Sequence, residues 1–96
     1  MAVKTKRFDP AVYLNSDESL AEYINAALET GDPAFIADSL GVVARANGMS
    51  KLARQTRLGR ESLYKALCVG GNPEFATVLK VMKALGLSLT AAAASS

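Results

Sequence analysis

The stretch MSKLARQTRLGRESLYKAL, residues 49–67, reads as two short helices joined by a tight turn. Ser50 is placed to cap the first helix, because its hydroxyl can accept one of the unpaired backbone N–H groups there. Leu52 and Ala53 are predicted to face a core, and Thr56-Arg57-Leu58-Gly59 to make the turn. The second helix is predicted over about 60–67. Leu63, Ala66 and Leu67 share its inner face at helical spacing. Glu61, Tyr64 and Lys65 lie on the outer face, with Arg60 and Ser62 at the N-terminal end. Such a pair, apolar inside and mostly basic outside, is what a helix-turn-helix presents to a DNA groove. A helical hairpin with a solvated outer face has the same local pattern, so the flanking sequence must separate the two readings.

Upstream, a helix is predicted over about 18–29, with Asp17 as its cap, Glu18 in the first turn and Gly31 after its end. Leu20, Ile24, Ala27 and Leu28 form its apolar stripe, and Glu22, Asn25 and Glu29 lie outside. The next helix carries the clearest boundary signals. Asp32 caps it, Pro33 takes its first position and Asn47-Gly48 closes it. Ile36, Leu40 and Val43 are expected in the core, with Phe35 and Val42 beside them. Gly41, inside this helix, costs about 1 kcal/mol relative to alanine; it either permits close helix contact or is simply tolerated.

A fifth helix is predicted after Asn72-Pro73, read again as cap then proline. Phe75, Val78, Leu79, Met82 and Leu85 read as its core stripe, and Gly86 ends it. The organisation is therefore an N-terminal arm over 1–16, an all-α five-helix domain over 17–89, and a frayed tail over 90–96. No internal repeat and no strand signal is visible.

Ninety-six residues suit one small domain, with no room for a large enzyme cleft. No apolar run approaches the roughly 18 residues of a membrane span, and no apolar segment of a signal peptide follows the basic start. One cysteine, Cys68, leaves no internal disulfide, so a cytoplasmic location is expected. The net charge of +2 conceals a segregation. In residues 1–40, Lys4, Lys6 and Arg7 stand against seven carboxylates. In residues 41–96, eight lysines and arginines stand against Glu61 and Glu74. An acidic half joined to a basic half suggests two surfaces with different partners, and the basic half holds the two short helices.

Catalysis finds little support. Without histidine there is no Ser-His-Asp or Cys-His arrangement. One cysteine and no histidine leave no ordinary zinc site. Gly70-Gly71 precedes Asn-Pro and is no phosphate loop. No enzyme activity, catalytic residue, metal or cofactor is expected.

The order of elements resembles the Xre, or lambda-repressor-like, helix-turn-helix fold. A closer resemblance lies in Leu52-Ala53-Arg54-Gln55, the run Arg60-Glu61-Ser62-Leu63-Tyr64-Lys65-Ala66-Leu67, then Gly71-Asn72-Pro73 and Val78 to Leu87. With Phe8-Asp9, Tyr13-Leu14, Tyr23-Ile24, Ala27-Leu28 and Gly31-Asp32-Pro33, these residues resemble the addiction-module antidote proteins, relatives of the HigA antitoxins, over roughly residues 8–89. The resemblance implies an antitoxin of a type II toxin–antitoxin pair. Such a protein neutralises a small toxin, commonly RelE/ParE-like, and represses its own operon. The usual Gly-Leu-Ser turn is replaced here by Arg57-Leu58-Gly59. Arg57 then stands where glycine eases a left-handed backbone, at a cost of about 1 kcal/mol if that geometry persists.

On this reading Arg60, Glu61 and Ser62 lie nearest the bases of double-stranded DNA. Tyr64 and Lys65 meet backbone or a thymine methyl, and Lys51, Arg54, Gln55 and Arg57 contact phosphates. For Glu61 a dipole role in the first turn, and for Tyr64 partial core packing, are equally open. A palindromic operator calls for a homodimer, with the fifth helix, Leu87 and Leu89 as contact candidates. Phe8, Tyr13, Glu22 and Glu29 are the toxin-binding candidates, because acid attracts a basic toxin. A stand-alone Xre-type repressor without a toxin, and a protein-interaction module that no longer binds DNA, are the alternatives. The presence of a neighbouring small basic reading frame tells the first alternative from an antitoxin, and DNA binding tells the second.

Overall fold

A computed structural model describes residues 17–94, and these contain five helices and no strand. They are α1 Asp17–Thr30, α2 Pro33–Asn47, α3 Met49–Thr56, α4 Arg60–Ala66 and α5 Phe75–Ala84. The arm over 1–16, with Phe8 and Tyr13, and the side chain of Asp17, expected as the α1 cap, lie outside what is described, as do the last two residues of the tail. None of the described helices is long and apolar enough to cross a membrane.

Each of the five helices contributes to one core. Leu20 and Ile24 come from α1, Leu40, Val43 and Ala44 from α2, Met49 and Leu52 from α3, Leu63 from α4 with Leu67 just beyond it, and Val81 and Met82 from α5 with Leu85 after its end. The predicted α1 stripe is the buried one, and Glu22, Asn25 and Glu29 are exposed. The α2 boundaries are also as predicted. Asp32 accepts the Ala34 N–H at 3.1 Å, Pro33 is the first helical residue, and the Gly48 N–H donates to the Ala44 carbonyl at 3.0 Å. Phe35 departs from its expected place beside the core and is 48% exposed. Ala37, Ser39 and Gly41 are buried instead.

Two helix starts differ from expectation. Ser50 does not cap α3; the helix begins at Met49 and Gly48 occupies the cap position, with no side-chain bond. A single residue separates α2 from α3, and Gly48 makes the corner at φ 108°. Starting two residues earlier brings Met49 into the core at 4% exposure. Likewise Asn72-Pro73 does not open α5, which starts at Phe75 after Glu74. Residues 71–74 stay non-helical. They run between a cleft shared with Ile36, Ala37 and Leu40 and one shared with Ser62, Leu63 and Ala66.

The core stripe of α5 is also turned from the predicted one. Val81, Met82 and Leu85 are buried and Val78 packs against them, whereas Phe75 is 67% and Leu79 41% exposed. The helix is apolar over too wide an arc for periodicity alone to choose the face. Its end is as predicted. Gly86, at φ 82°, donates to the Lys83 carbonyl, and the Leu87 N–H reaches back to the Met82 carbonyl at 2.9 Å. This closes the helix and folds Leu87 onto the core.

Candidate functional site

The turn between α3 and α4 is built from Thr56 outward. Thr56 is 6% exposed. Its hydroxyl donates to the Leu52 carbonyl at 2.8 Å and accepts the Leu58 N–H at 3.3 Å, so one buried group closes α3 and starts the turn. Arg57 follows at φ 63°, ψ 25°, with its N–H on the Ala53 carbonyl at 2.9 Å. It is the only non-glycine with positive φ among the described residues, as the comparison with Gly-Leu-Ser anticipated. Gly59 is extended and caps α4 without a side-chain bond. Its carbonyl accepts the Leu63 N–H at 3.0 Å.

Leu63 (1% exposed) and Leu67 (fully buried) hold the inner side of α4. Two main-chain contacts set its C-terminal end. A Cβ on Gly41 of α2 would overlap the Leu67 carbonyl oxygen, and one on Gly71 would overlap the Ala66 carbonyl oxygen. Of the two readings open for Gly41, close helix contact is the one observed. The Gly41 contact leaves no local mark in the sequence, because it joins segments distant along the chain, and the Gly71 contact, though local, depends on how the chain turns away from α4.

All nine residues predicted to face DNA are exposed: Lys51, Arg54, Gln55, Arg57, Arg60, Glu61, Ser62, Tyr64 and Lys65. Lys51, Arg54 and Gln55 share one face of α3 at i, i+3 and i+4. Arg60, Glu61, Tyr64 and Lys65 share one face of α4, and Arg57 stands between the helices. Together the nine residues carry five cations and the single carboxylate of Glu61. The Arg60 guanidinium lies over the Tyr64 ring, 5.7 Å from its centroid, within the range of a cation–π contact. Tyr64 is 41% exposed, which takes its ring out of the core. Glu61 occupies the first turn of α4, where a dipole role and an outward-reading role are both compatible with its exposure.

The other predicted contacts are dispersed. Glu22 and Glu29 lie two turns apart on the exposed side of α1, and Glu18 extends the row. Glu18 and Asn25 also rim an open cleft of about 390 Å³ floored by Ile24, Leu28, Met82 and Leu87. Leu87 is half-buried against the core and Leu89 is 37% exposed. Cys68 donates its thiol hydrogen to the Lys65 carbonyl at 3.3 Å.

Over residues 4–93 the chain matches the family model described as "Probable addiction module antidote protein". It is 48% identical over 87 residues to an uncharacterized protein of Haemophilus influenzae, the alignment covering 91% of this chain and 90% of the relative. No solved structure matches the chain significantly.

Proposed function

Because the chain belongs to the family of addiction module antidote proteins, we propose that it is the antitoxin of a type II toxin–antitoxin pair and also the DNA-binding repressor of its own operon. α3, the turn and α4 act as the helix-turn-helix of a lambda-repressor-like domain, with α4 as the recognition helix. It is a cytoplasmic binding protein and not a catalyst. The observation that carries the DNA-binding half is the exposed face of α3, the turn and α4, with five cations on one side of helices whose other side is buried. Cations in such a row displace counterions from phosphates. Arg60, at the start of α4, can pair bidentately with guanine. Two copies on a palindromic operator would read half-sites about one helical turn apart.

The toxin-directed half rests on family membership, and the exposed carboxylates of α1 favour a basic toxin, RelE/ParE-like in kind. Two measurements test the reading. Purified protein is titrated against the DNA upstream of its gene at several salt concentrations, with Arg60→Ala in parallel. The adjacent small reading frame is expressed with and without this chain. The expected results are binding that weakens with salt and with Arg60→Ala, and a toxic neighbour that is rescued and co-purifies. Affinity and base preference unchanged in Arg60→Ala would overturn the recognition-helix assignment. A harmless neighbour that forms no complex would leave a plain repressor.

A further inference from the structure

The open cleft of about 390 Å³ beside α1 has an apolar floor of Ile24, Leu28, Met82 and Leu87, and Glu18 is the one charged residue along it. It begins at Glu18, next to the N-terminal end of α1, and follows the helix to Leu28, about 15 Å further on. Its far wall is formed by residues 86–90, which are not helical. Among the described residues, the N–H groups of Ser88, Leu89 and Thr90 donate to no backbone carbonyl. The cleft thus offers apolar surface on its floor and main-chain donors on one wall.

The sequence that leads into α1 has matching chemistry. Residues 8–14, FDPAVYL, carry Asp9 as their only charge, and Phe8, Val12, Tyr13 and Leu14 are large and apolar. Lys4, Lys6 and Arg7 precede them, and Asn15-Ser16, a pair suited to a turn, joins them to Asp17.

We propose that residues 8–14 dock in this cleft of their own chain, running back antiparallel to α1. The tether sets the register. Leu14 stands three residues before Asp17 and Phe8 nine, reaches of at most about 10 Å and about 30 Å. Tyr13 and Leu14 are therefore held near the Glu18 end, and Phe8 reaches Leu28. Each aromatic ring takes about 150–250 Å² out of water when buried. Arg7 and Lys6 arrive at the Leu28 end, where Glu29 is exposed, and no lysine or arginine lines the cleft to repel them. A segment tied to the mouth of its site by a short linker is present there at an effective concentration in the millimolar range. A second copy at micromolar concentration competes poorly with it.

The inference does not depend on the antitoxin reading. Where that reading holds, a toxin that contacts Phe8 or Tyr13 must draw them out of the cleft, so arm docking works against toxin binding.

The test uses the full-length chain with ¹³C-labelled methyl groups. Nuclear Overhauser contacts should join the rings of Phe8 and Tyr13 to methyls of Ile24, Leu28, Met82 or Leu87, independent of protein concentration. In a mixture of labelled and unlabelled chains, none should arise between chains. Ala21→Arg, at the half-exposed rim of the cleft, should abolish these contacts while leaving the circular dichroism unchanged. Tyr13→Asp, in the arm itself, should remove those of Phe8 as well. Both variants should raise the rate of trypsin cleavage after Arg7 about tenfold or more. A parent chain without the arm-to-cleft contacts overturns the proposal. Contacts found only between chains overturn it too, and give the cleft to a second copy. So does a cleavage rate equal in the parent and both folded variants. None of these outcomes bears on DNA binding or on rescue from the neighbouring reading frame, by which the antitoxin and repressor reading stands or falls.

Discussion

The guanidinium of Arg60 stacks on the ring of Tyr64 one helical turn further along α4, 5.7 Å from its centroid. An exposed contact of this kind contributes about 0.5–1 kcal/mol. It narrows the conformations of a side chain that otherwise loses much rotamer freedom on binding. Tyr64→Leu should therefore weaken binding to operator DNA about two- to five-fold, and Tyr64→Phe should retain nearly all of it. The same variants report on the free protein. The ring-current shift on the Arg60 side-chain protons should persist in the phenylalanine variant and vanish in the leucine one. A shift identical in all three proteins would show that the ring does not hold the guanidinium in solution.

Arg57 combines a left-handed backbone with an outward charge. Arg57→Gly should relieve the backbone cost and stabilise the fold by about 0.5–1 kcal/mol. In a domain of this size that raises Tm by several degrees, roughly 2–8 °C. The same change should weaken DNA binding and reduce the slope of log affinity against log salt by about one. Thermal melts and a salt titration on the same preparation check both. A lower Tm would mean that the arginine side chain stabilises the turn by more than its backbone strain costs.

The hydroxyl of Thr56 serves two backbone groups at once. Thr56→Val keeps the shape and removes both bonds, which strands the Leu58 N–H at the turn. The expected loss is about 1–3 kcal/mol by urea denaturation. Thr56→Ser, which retains the hydroxyl, should lose markedly less. Equal losses would assign the effect to the missing methyl and not to the bonds.

Glycine-to-alanine substitutions should divide by the space around them. Gly41→Ala and Gly71→Ala would each drive a methyl into a backbone carbonyl and should each destabilise by about 1–3 kcal/mol. Gly70→Ala meets nothing within 4 Å and should change stability by no more than about 0.5 kcal/mol. Urea midpoints of the three variants supply the comparison, and a Gly70→Ala loss as large as the others would refute the steric account.

The readable parts of the fold were those determined within a few residues. Asp32 and Pro33 start α2, Gly86 stops α5, and Leu20, Ile24 and Ala27 mark a stripe because cap chemistry and a 3.6-residue period act locally. Ser50 misled because a good cap residue is outweighed when starting two residues earlier buries Met49. Phe75 and Leu79 were read as core because only the packing of the other helices selects which arc of an apolar helix is covered. Thr56 gave no warning of its double bond, since threonine also suits an exposed turn. Of the candidate site, the outward residues of α3 and α4 followed from their spacing. The main-chain contacts behind α4 and the stacking of Arg60 on Tyr64 depend on geometry that spacing does not encode.

Those main-chain contacts bear on how such a surface can diverge. The end of α4 is seated by the carbonyls of Ala66 and Leu67 against Gly71 and Gly41, and its inner side by Leu63 and Leu67. None of this seating uses the side chains that point outward. Arg60, Glu61, Ser62, Tyr64 and Lys65 can therefore be exchanged as a set while the helix keeps its pose. A gene duplicate could acquire a new binding preference through surface substitutions alone, with both glycines retained as the invariant chassis.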